Sequence, residues 1–582
     1  MNNRIKIAFL ALIFCGLVGF QSCEKMLDVN SNGYLNTDDN KLNSPNDSLY
    51  SVSGILNLLQ PLGEKYFVLG ELRGDLMAVT DNADMNLQAI ANFTATADNP
   101  YLSTKEYYAV INNCNYFLQH VDTSIISGGR KVMRGEYSVV KAIRAWTYMQ
   151  LVLNYGKAVY LTEPILNIDD MNKDYPVMEP QQLMETLLDD ISNYIDYTNY
   201  PTYFSSQLFI SGPMVAGDLL LWLGAYTGDT GYYERAANIY YRYIVDNHLR
   251  GAGMLRNMYQ NSDFNSIDAG WYQVLSTTGT GGYNEGITWI TYSTNSQEVL
   301  NYPLIFLLTF SNQAVTYFKY EVKPSQAAID LWNNETYVYY NSSTKALLYT
   351  KGDLRGNCMV STIPCGSYYY EGEGDSLPTI AKYGYFFSSA NMYNVNSTPL
   401  ISLYRTGILY LRYAEALNGL GKPSLAFAVL KYGLKSQVLA DSTKVNPSEI
   451  TPLPAYCDFN DPVFSDLGIY GQLGIHSRGS GNVEQDTTYY AFTEETLRDN
   501  SDYYGIPATL ETHQDSINFV NVMICKELGL ESAFEGNRFQ DLMRFSIRNG
   551  DDDFLAKWVG RRNPALTSTL MNRNNWYLPT PQ

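Results

Sequence analysis

Residues 212–247 read GPMVAGDLLLWLGAYTGDTGYYERAANIYYRYIVDN, and this stretch decides the fold. Apolar residues recur at helical spacing from Gly212 to Tyr226 and again from Tyr232 to Asn247. Between them, Gly228-Asp229-Thr230-Gly231 has the composition of a tight turn. The segment therefore reads as two helices folded back on each other. Within it, Leu223-Gly224 is followed by Gly231, Ala236 and Tyr240. Small residues at these positions let one helix approach its neighbour closely.

The same spacing returns downstream, where Tyr413-Ala414 is followed by Gly421, Ala426 and Leu430. Both runs match the tetratricopeptide pattern of paired helices. A pair of this kind cannot bury its apolar face alone, so further copies must stack on it. The helix predicted over Arg130–Tyr155, with Ala142 and Ala145, is one such copy. Other predicted helices cover Tyr101–Val121, Glu179–Tyr197, Leu403–Leu420, Pro423–Leu439 and Asp515–Arg548. Residues Arg250–Tyr393 are rich in Gly, Ser, Thr, Tyr and Trp and read as loops with small strands. A second irregular stretch runs from Asp441 to Glu511. The expected class is mainly α: a tetratricopeptide-like scaffold of helical pairs with long irregular loops and small β elements. The expected division is 1–22 as a leader, 23–48 as a tether, 49–249 as a helical region, 250–400 as a loop-rich insertion and 401–582 as a second helical region.

The leader is read from its chemistry. Arg4 and Lys6 precede an apolar run from Ile7 to Phe20, and Gln21-Ser22-Cys23 follows. Charge, apolar core and small residue in that order make a secretion signal, too short to remain as a spanning helix. A cysteine directly after the small residue reads as a lipobox, so Cys23 is the expected lipidation site. Cys15 follows the bulky Phe14 and is the poorer acceptor. Acyl chains contribute about 0.8 kcal/mol per buried methylene, and several together hold a protein on a membrane. No other segment is expected to span one, and Ile305–Phe310 reads as a short buried run. Glu24–Ser48, polar and without period, is the expected tether.

The precursor carries a net charge of -19, and losing Arg4 and Lys6 with the leader makes it -21. That balance argues against nucleic acid and against docking on an anionic membrane surface. The 50 tyrosines are the compositional outlier. Tyr suits both wet recognition surfaces and helix interfaces, and most are expected at the interfaces. Beyond Cys15 and Cys23 the chain has Cys114, Cys358, Cys365, Cys457 and Cys525, which is no disulfide framework and offers no CxxC pair for zinc. Cys358 and Cys365 are close enough in sequence to bridge a hairpin, which spacing alone does not fix.

The best candidate ligand platform is Gly270–Tyr292, where Trp271, Tyr272, Tyr283, Trp289 and Tyr292 stand among glycines with Asn284 and Glu285 as polar partners. Rings stack on the C–H faces of sugars while polar side chains bond their rims. The competing reading of these aromatics is strand packing in a core. A second candidate loop is Asp81–Asn86, and Tyr368-Tyr369-Tyr370 is a weaker third. Asp81 and Asp84 are candidate ligand-binding residues that also offer oxygens to a structural calcium. The run lacks EF-hand spacing, and a solvated loop is the preferred reading. No cofactor is implied. His120, His248, His476 and His513 form no HExxH, no GxSxG elbow or phosphate loop is present, and Gly279-Thr280-Gly281-Gly282 lacks the following Lys. Near the C-terminus Glu527, Glu531 and Glu535 are four apart, and Arg538, Asp541 and Arg544 continue at steps of three. These read as an internal ion-pair lattice pinning the last helix rather than as catalytic carboxylates.

Several motifs carry a family resemblance. Arg144-Ala145-Trp146-Thr147-Tyr148 with Leu151-Val152 and Tyr155-Gly156, Glu71-Leu72-Arg73-Gly74-Asp75, and Leu411-Arg412-Tyr413-Ala414-Glu415-Ala416-Leu417-Asn418 are three of them. The most specific is Glu531, Phe534-Glu535-Gly536, Arg538, Asp541-Leu542 and Arg544, joined by the tail Trp576-Tyr577-Leu578-Pro579-Thr580-Pro581. Together they resemble the SusD/RagB family of outer-membrane lipoproteins. Thr580 stands where an apolar residue is usual, and Ala158-Val159-Tyr160 lacks a proline often found there. The resemblance implies a non-enzymatic protein, lipid-anchored on the outer membrane and facing the exterior. It would hold oligosaccharides, or in some members peptides, as the lid of a SusC-type TonB-dependent barrel. A surface glycosidase and an adhesin are the alternatives from other classes. Arg73-Gly74-Asp75 spells an adhesion tripeptide but reads as a helix-to-loop boundary.

Overall fold

The apolar stripes of the sequence become a stack of helices. The molecule is seen in a computed structural model that describes residues 42, 45–127, 130–131, 133–195, 200–201, 203–247, 285–292, 319–341, 343–356, 367–371, 377–382, 386–387, 392–393, 400–460, 464, 474–481 and 509–580. The principal helices are α1 (Pro45–Glu71), α2 (Met85–Ala91), α3 (Lys105–His120), α4 (Arg134–Tyr155), α5 (Pro180–Ile191), α6 (Gly212–Thr227) and α7 (Thr230–Asn247). They continue as α8 (Gln326–Asn333), α9 (Thr406–Gly419), α10 (Pro423–Lys431), α11 (His513–Ser532), α12 (Arg538–Asn549) and α13 (Asp552–Arg562). Each stacks on the next: α3 on α4, α4 on α5, α5 on α6, α6 on α7, α7 on α9, and α9 on both α10 and α11. This is the predicted mainly helical scaffold of paired elements.

The pair α6–α7 shows why the small residues matter. The Tyr233 ring lies against Gly224, where an added Cβ would sit 2.7 Å from its Cζ, and the Tyr240 ring covers Gly217 at 2.4 Å. Two tyrosine faces thus replace the usual aliphatic ridge. The Tyr240 hydroxyl donates to Asp218 Oδ1 at 2.9 Å, and that of Tyr404 to Oδ2 at 3.0 Å. Many of the tyrosines sit at helix interfaces for this reason: the ring fills the groove and the hydroxyl finds a buried acceptor. Helix α6 ends at Gly228 (φ +70°), and α4 ends at Gly156 (φ +74°), both in the left-handed conformation that glycine adopts freely.

The structure departs from the expected elements in several places, among them Leu403–Arg405, expected as helix and found as strand, and Met85–Asn86, expected as loop and found in α2. Helix α1 occupies part of the stretch expected as tether and continues well beyond it, with Pro61 and several glycines masking its period in sequence. The helix expected over Asp515–Arg548 breaks between Ser532 and Arg538, where Phe534 (φ +67°) and Gly536 (φ +96°) turn the chain. The helix α8 stands in the loop-rich insertion. The helix expected to Leu439 stops at Lys431, and Gly433 (φ +81°) redirects the chain. Among the described residues one helical stretch, Ser206–Thr227, is long and apolar enough to cross a membrane, but 89% of its apolar window is buried inside the protein. It is a core helix.

The motifs from both ends of the chain meet in the core. Glu71 accepts from the backbone N–H of Phe534 and Gly536 at 3.0 and 2.7 Å. Arg73 donates to the Trp576 carbonyl and to Asn154 on α4, while the Leu578 N–H donates to the Asn154 carbonyl. Asp75 pairs with Arg538 at 2.6 Å. Arg73 and Asp75 are 0% and 2% exposed, so this tripeptide faces inward and cannot act as an adhesion signal here. Glu415 of α9 pairs with Arg544 of α12 at 2.6 Å, and Arg412 with Asp541.

The small strands form two-stranded sheets: β1 (Met77–Val79), β2 (Gly286–Thr291), β3 (Val322–Pro324), β4 (Thr336–Asn341), β5 (Ala346–Lys351), β6 (Tyr368–Glu371), β7 (Leu377–Ile380) and β8 (Leu400–Arg405). The pairs β1–β3, β4–β5, β6–β7 and β2–β8 are all antiparallel.

Candidate ligand cleft

The first half of α1 presents Ser53, Leu56, Asn57 and Gln60 on one flank. Opposite stand Phe204 and Leu208, from the segment leading into α6, and Trp289 to Thr291 at the end of β2. Together they line an open cleft of about 160 Å3. Strand β2 is fixed on both edges. One pairs with β8. The other meets the approach to α6: the Thr288 hydroxyl donates to the Phe209 carbonyl at 3.0 Å and accepts from Ser211 N–H at 3.1 Å. The Gln207 amide donates to the Gly286 carbonyl at 3.0 Å. Helix α1 is tied to the end of β2 by Gln60 Nε2 donating to the Thr291 carbonyl and by the Tyr292 hydroxyl donating to the Gln60 carbonyl, at 3.0 and 2.7 Å.

The base of β2 is held by charge. Glu285, just before the strand, meets Arg478 at 3.0 Å and Arg405, the last residue of β8, at 3.4 Å. Arg405 also grips Glu531 at 2.6 Å and Glu535 at 2.7 Å. Glu531 further accepts from Arg355 at 3.0 Å and pairs with Arg478 at 2.9 Å. Glu527 pairs with Arg355 and lies 2.7 Å from His476 Nδ1, while Glu535 meets Lys382. All of these residues are buried. The predicted lattice is present, but its wiring differs from the expected ladder along one helix. The glutamates reach cations far away in sequence, because the break before Arg538 turns that side of α11 toward the insertion. Burial alone would raise the Glu527 carboxyl, but Arg355 and His476 outweigh it and hold it down at about 2. Glu531, with three arginines, is held well below the usual range for the same reason. Carboxylates so committed are not free for acid or base chemistry.

The platform residues named from the sequence are distributed as follows. Trp271, Tyr272, Tyr283 and Asn284 lie outside the described residues, as do Cys23, Cys358, Cys365 and Ile305–Phe310. Trp289 and Tyr292 are only 4% and 7% exposed. The Trp289 ring folds back over Gly286, where a Cβ would come within 1.9 Å of it, and only an edge of the residue borders the cleft. The Tyr292 phenol packs against Gly63 and is bonded to α1. As placed, neither offers an open ring face: the Trp289 ring lies over Gly286 and the Tyr292 phenol is bonded to α1. Asp81 is exposed. Asp84 is the N-cap of α2, its carboxylate accepting from Leu87 N–H at 2.9 Å, and among the described residues no group of three or more His, Cys, Asp or Glu is set to hold a metal. Tyr368–Tyr370 form the strand β6, and their side chains lie outside the described residues.

Sequence reasoning missed Asn57, Gln60, Phe204 and Leu208. The helical period that would have placed the first two on one face is interrupted by Gly54, Pro61 and Gly63. The only signal for Phe204 was the aromatic density of 200–209, where Tyr200, Tyr203, Phe204 and Phe209 contact one another.

No protein-family model matches the chain, and no curated protein does. Solved structures do. A SusD superfamily protein from Bacteroides vulgatus superposes with a TM-score of 0.53 at 12% identity, covering 92% of this chain and 91% of that one. A SusD superfamily protein from Bacteroides thetaiotaomicron gives 0.52 at 16%, covering 92% and 95%. NanU of B. fragilis gives 0.51 at 16%, with the same coverage. At these identities the likeness is one of architecture, and it extends over nearly the whole chain: the protein is built on the SusD-like fold.

Proposed function

We propose that this chain is a cell-surface glycan-binding lipoprotein. It captures oligosaccharides and delivers them to a SusC-type TonB-dependent transporter, held on the outer membrane through acylated Cys23. The observation that carries the reading is a SusD-like fold with a cleft of apolar and aromatic floor and neutral polar rim beside β2. Trp271, Tyr272, Tyr283 and Asn284 precede β2 in the sequence, and we assign them to the ligand platform. The motif resemblance and the lipobox sequence support the same role. The glycosidase alternative is less well supported. Two carboxyl groups must flank a scissile bond, whereas among the described residues the cleft is lined by none.

The test is calorimetry of the acylated protein against an oligosaccharide panel, with an assay for new reducing ends, and co-purification of a TonB-dependent barrel from the native outer membrane. Binding without new ends, lost in a Trp271→Ala Tyr283→Ala double variant, is the expected result. Release of new ends, or absence of any saccharide binding, would overturn the reading.

A further inference from the structure

Resting on the saccharide reading above, we infer that the cleft between α1 and β2 selects an uncharged sugar ring and rejects acidic ones. Its floor is apolar, made by Leu56, Phe204, Leu208 and the edge of Trp289. Its rim is polar and neutral. Gln60 Nε2 is committed to the Thr291 carbonyl, which orients the amide and leaves Oε1 as an open acceptor. Asn57 is exposed and its carboxamide makes no hydrogen bond within the described structure, and the Thr291 hydroxyl is likewise uncommitted. Apolar surface interleaved with donors and acceptors of no net charge suits a pyranose ring, which carries both C–H groups and hydroxyls.

Among the described residues, a carboxylate-bearing sugar would find no cation in this lining. A carboxylate entering the cleft would lose water and meet only neutral donors, with no charge to offset its own, in a protein of net charge -19. An extended peptide is disfavoured by a separate feature. One edge of β2 is taken by β8, and the Gly286 carbonyl already accepts from Gln207, so part of the backbone that a ladder would use is committed.

The experiment is calorimetry on the detergent-solubilised full lipoprotein. The probes are length-matched neutral oligosaccharides (malto-, cello-, xylo- and manno-oligomers) and acidic ones (oligogalacturonate and alginate oligomers). At least one neutral series is expected to bind about tenfold or more tighter than every acidic one. Asn57→Ala and Phe204→Ala should each weaken that binding by about tenfold; the melt should be unchanged for the exposed Asn57, while the half-buried Phe204, packed on Tyr203 and Phe209, should lower it modestly. Asn57→Lys should narrow the neutral-to-acidic gap by supplying the missing cation. Acidic oligomers binding as well as neutral ones, or neutral binding undiminished in both the Asn57→Ala and Phe204→Ala variants, overturns the inference while leaving the saccharide reading intact. Absence of binding to any saccharide overturns both.

Discussion

Two regions of this molecule are held together by opposite means. The helical pairs, typified by α6–α7 and α9–α10, bury Leu, Ala and Tyr against glycine and alanine, with a few satisfied polar groups between them. The segments from the loop-rich insertion, together with those bearing Arg405, His476 and Arg478, are fastened to α11 by a dense set of buried charges. The difference follows from length. A helical pair closes a short loop and recovers its ordering entropy with apolar contacts on the spot. Irregular segments lack a continuous apolar stripe, so directional contacts with fixed partners set their register. Buried ion pairs suit that purpose even though desolvation cancels much of their attraction.

The contrast can be broken first at its charged side. Arg405→Met leaves Glu285, Glu531 and Glu535 short of a cation without exposing them, and is expected to lower the unfolding free energy by about 3–5 kcal/mol in urea titrations. The same change at the exposed Arg242 should leave it nearly unaffected.

Acidity should separate the two regions next. Glu71, in the helical frame, is raised to about 7 because burial outweighs the N–H groups of Gly536 and Phe534 and the nearby cations. Its folded form holds a proton that the unfolded chain has released, so its contribution to stability falls as pH rises from about 4.5 to 7. Glu527 runs the other way. Its contribution is complete above about 4.5 and is lost as pH falls toward 2. Each shift corresponds to about 3 kcal/mol at most. Urea midpoints across pH 3–8 should show Glu71→Gln flattening the upper limb and Glu527→Gln the lower one; identical profiles in both variants would refute the assignment.

A smaller effect is expected from Gly70→Ala. A Cβ there would lie 1.8 Å from the Gly536 carbonyl oxygen, so α1 and the turn must separate, at about 2 kcal/mol. Differential scanning calorimetry should show a lower melting temperature, and Gly54→Ala, with open space around it, should show no such loss. The smallest effect belongs to Lys557→Ala, whose pairing with Asp553 spans 3.9 Å with both partners exposed; less than about 0.5 kcal/mol is expected.

These two regions were not equally legible in the sequence. The α6–α7 pair was readable almost to the residue, because its apolar period, its glycine turn and its small residues are all local signals. Helix α1 was not, since Pro61 and the glycines that admit Tyr292 and the Gly536 turn erase the period that defines it. The glutamates of α11 were recognised as an internal lattice, but their partners could not be named. Arg355, Arg405 and Arg478 lie 176, 126 and 53 positions from Glu531, and only the folded chain brings them together. For the cleft, aromatic residues in a glycine-rich stretch pointed to β2, but the packing of Trp289 on Gly286 and of Tyr292 on α1 depends on contacts that no local pattern shows. Phe204 and Asn57 border the cleft because of where α1 and the α6 approach converge, which no local pattern announces.

The contact between Gly70 and Gly536 has a mechanical consequence. Helix α1 begins at Pro45 and is clamped at its far end to the turn that precedes α12. Tension applied to the leading end of the body therefore runs in shear along α1 and reaches the last helices directly, bypassing the pairs between them. An open solenoid would peel away one repeat at a time. Here the first and last portions of the chain share a single fastening, and the body resists a tug on its leading end as one block.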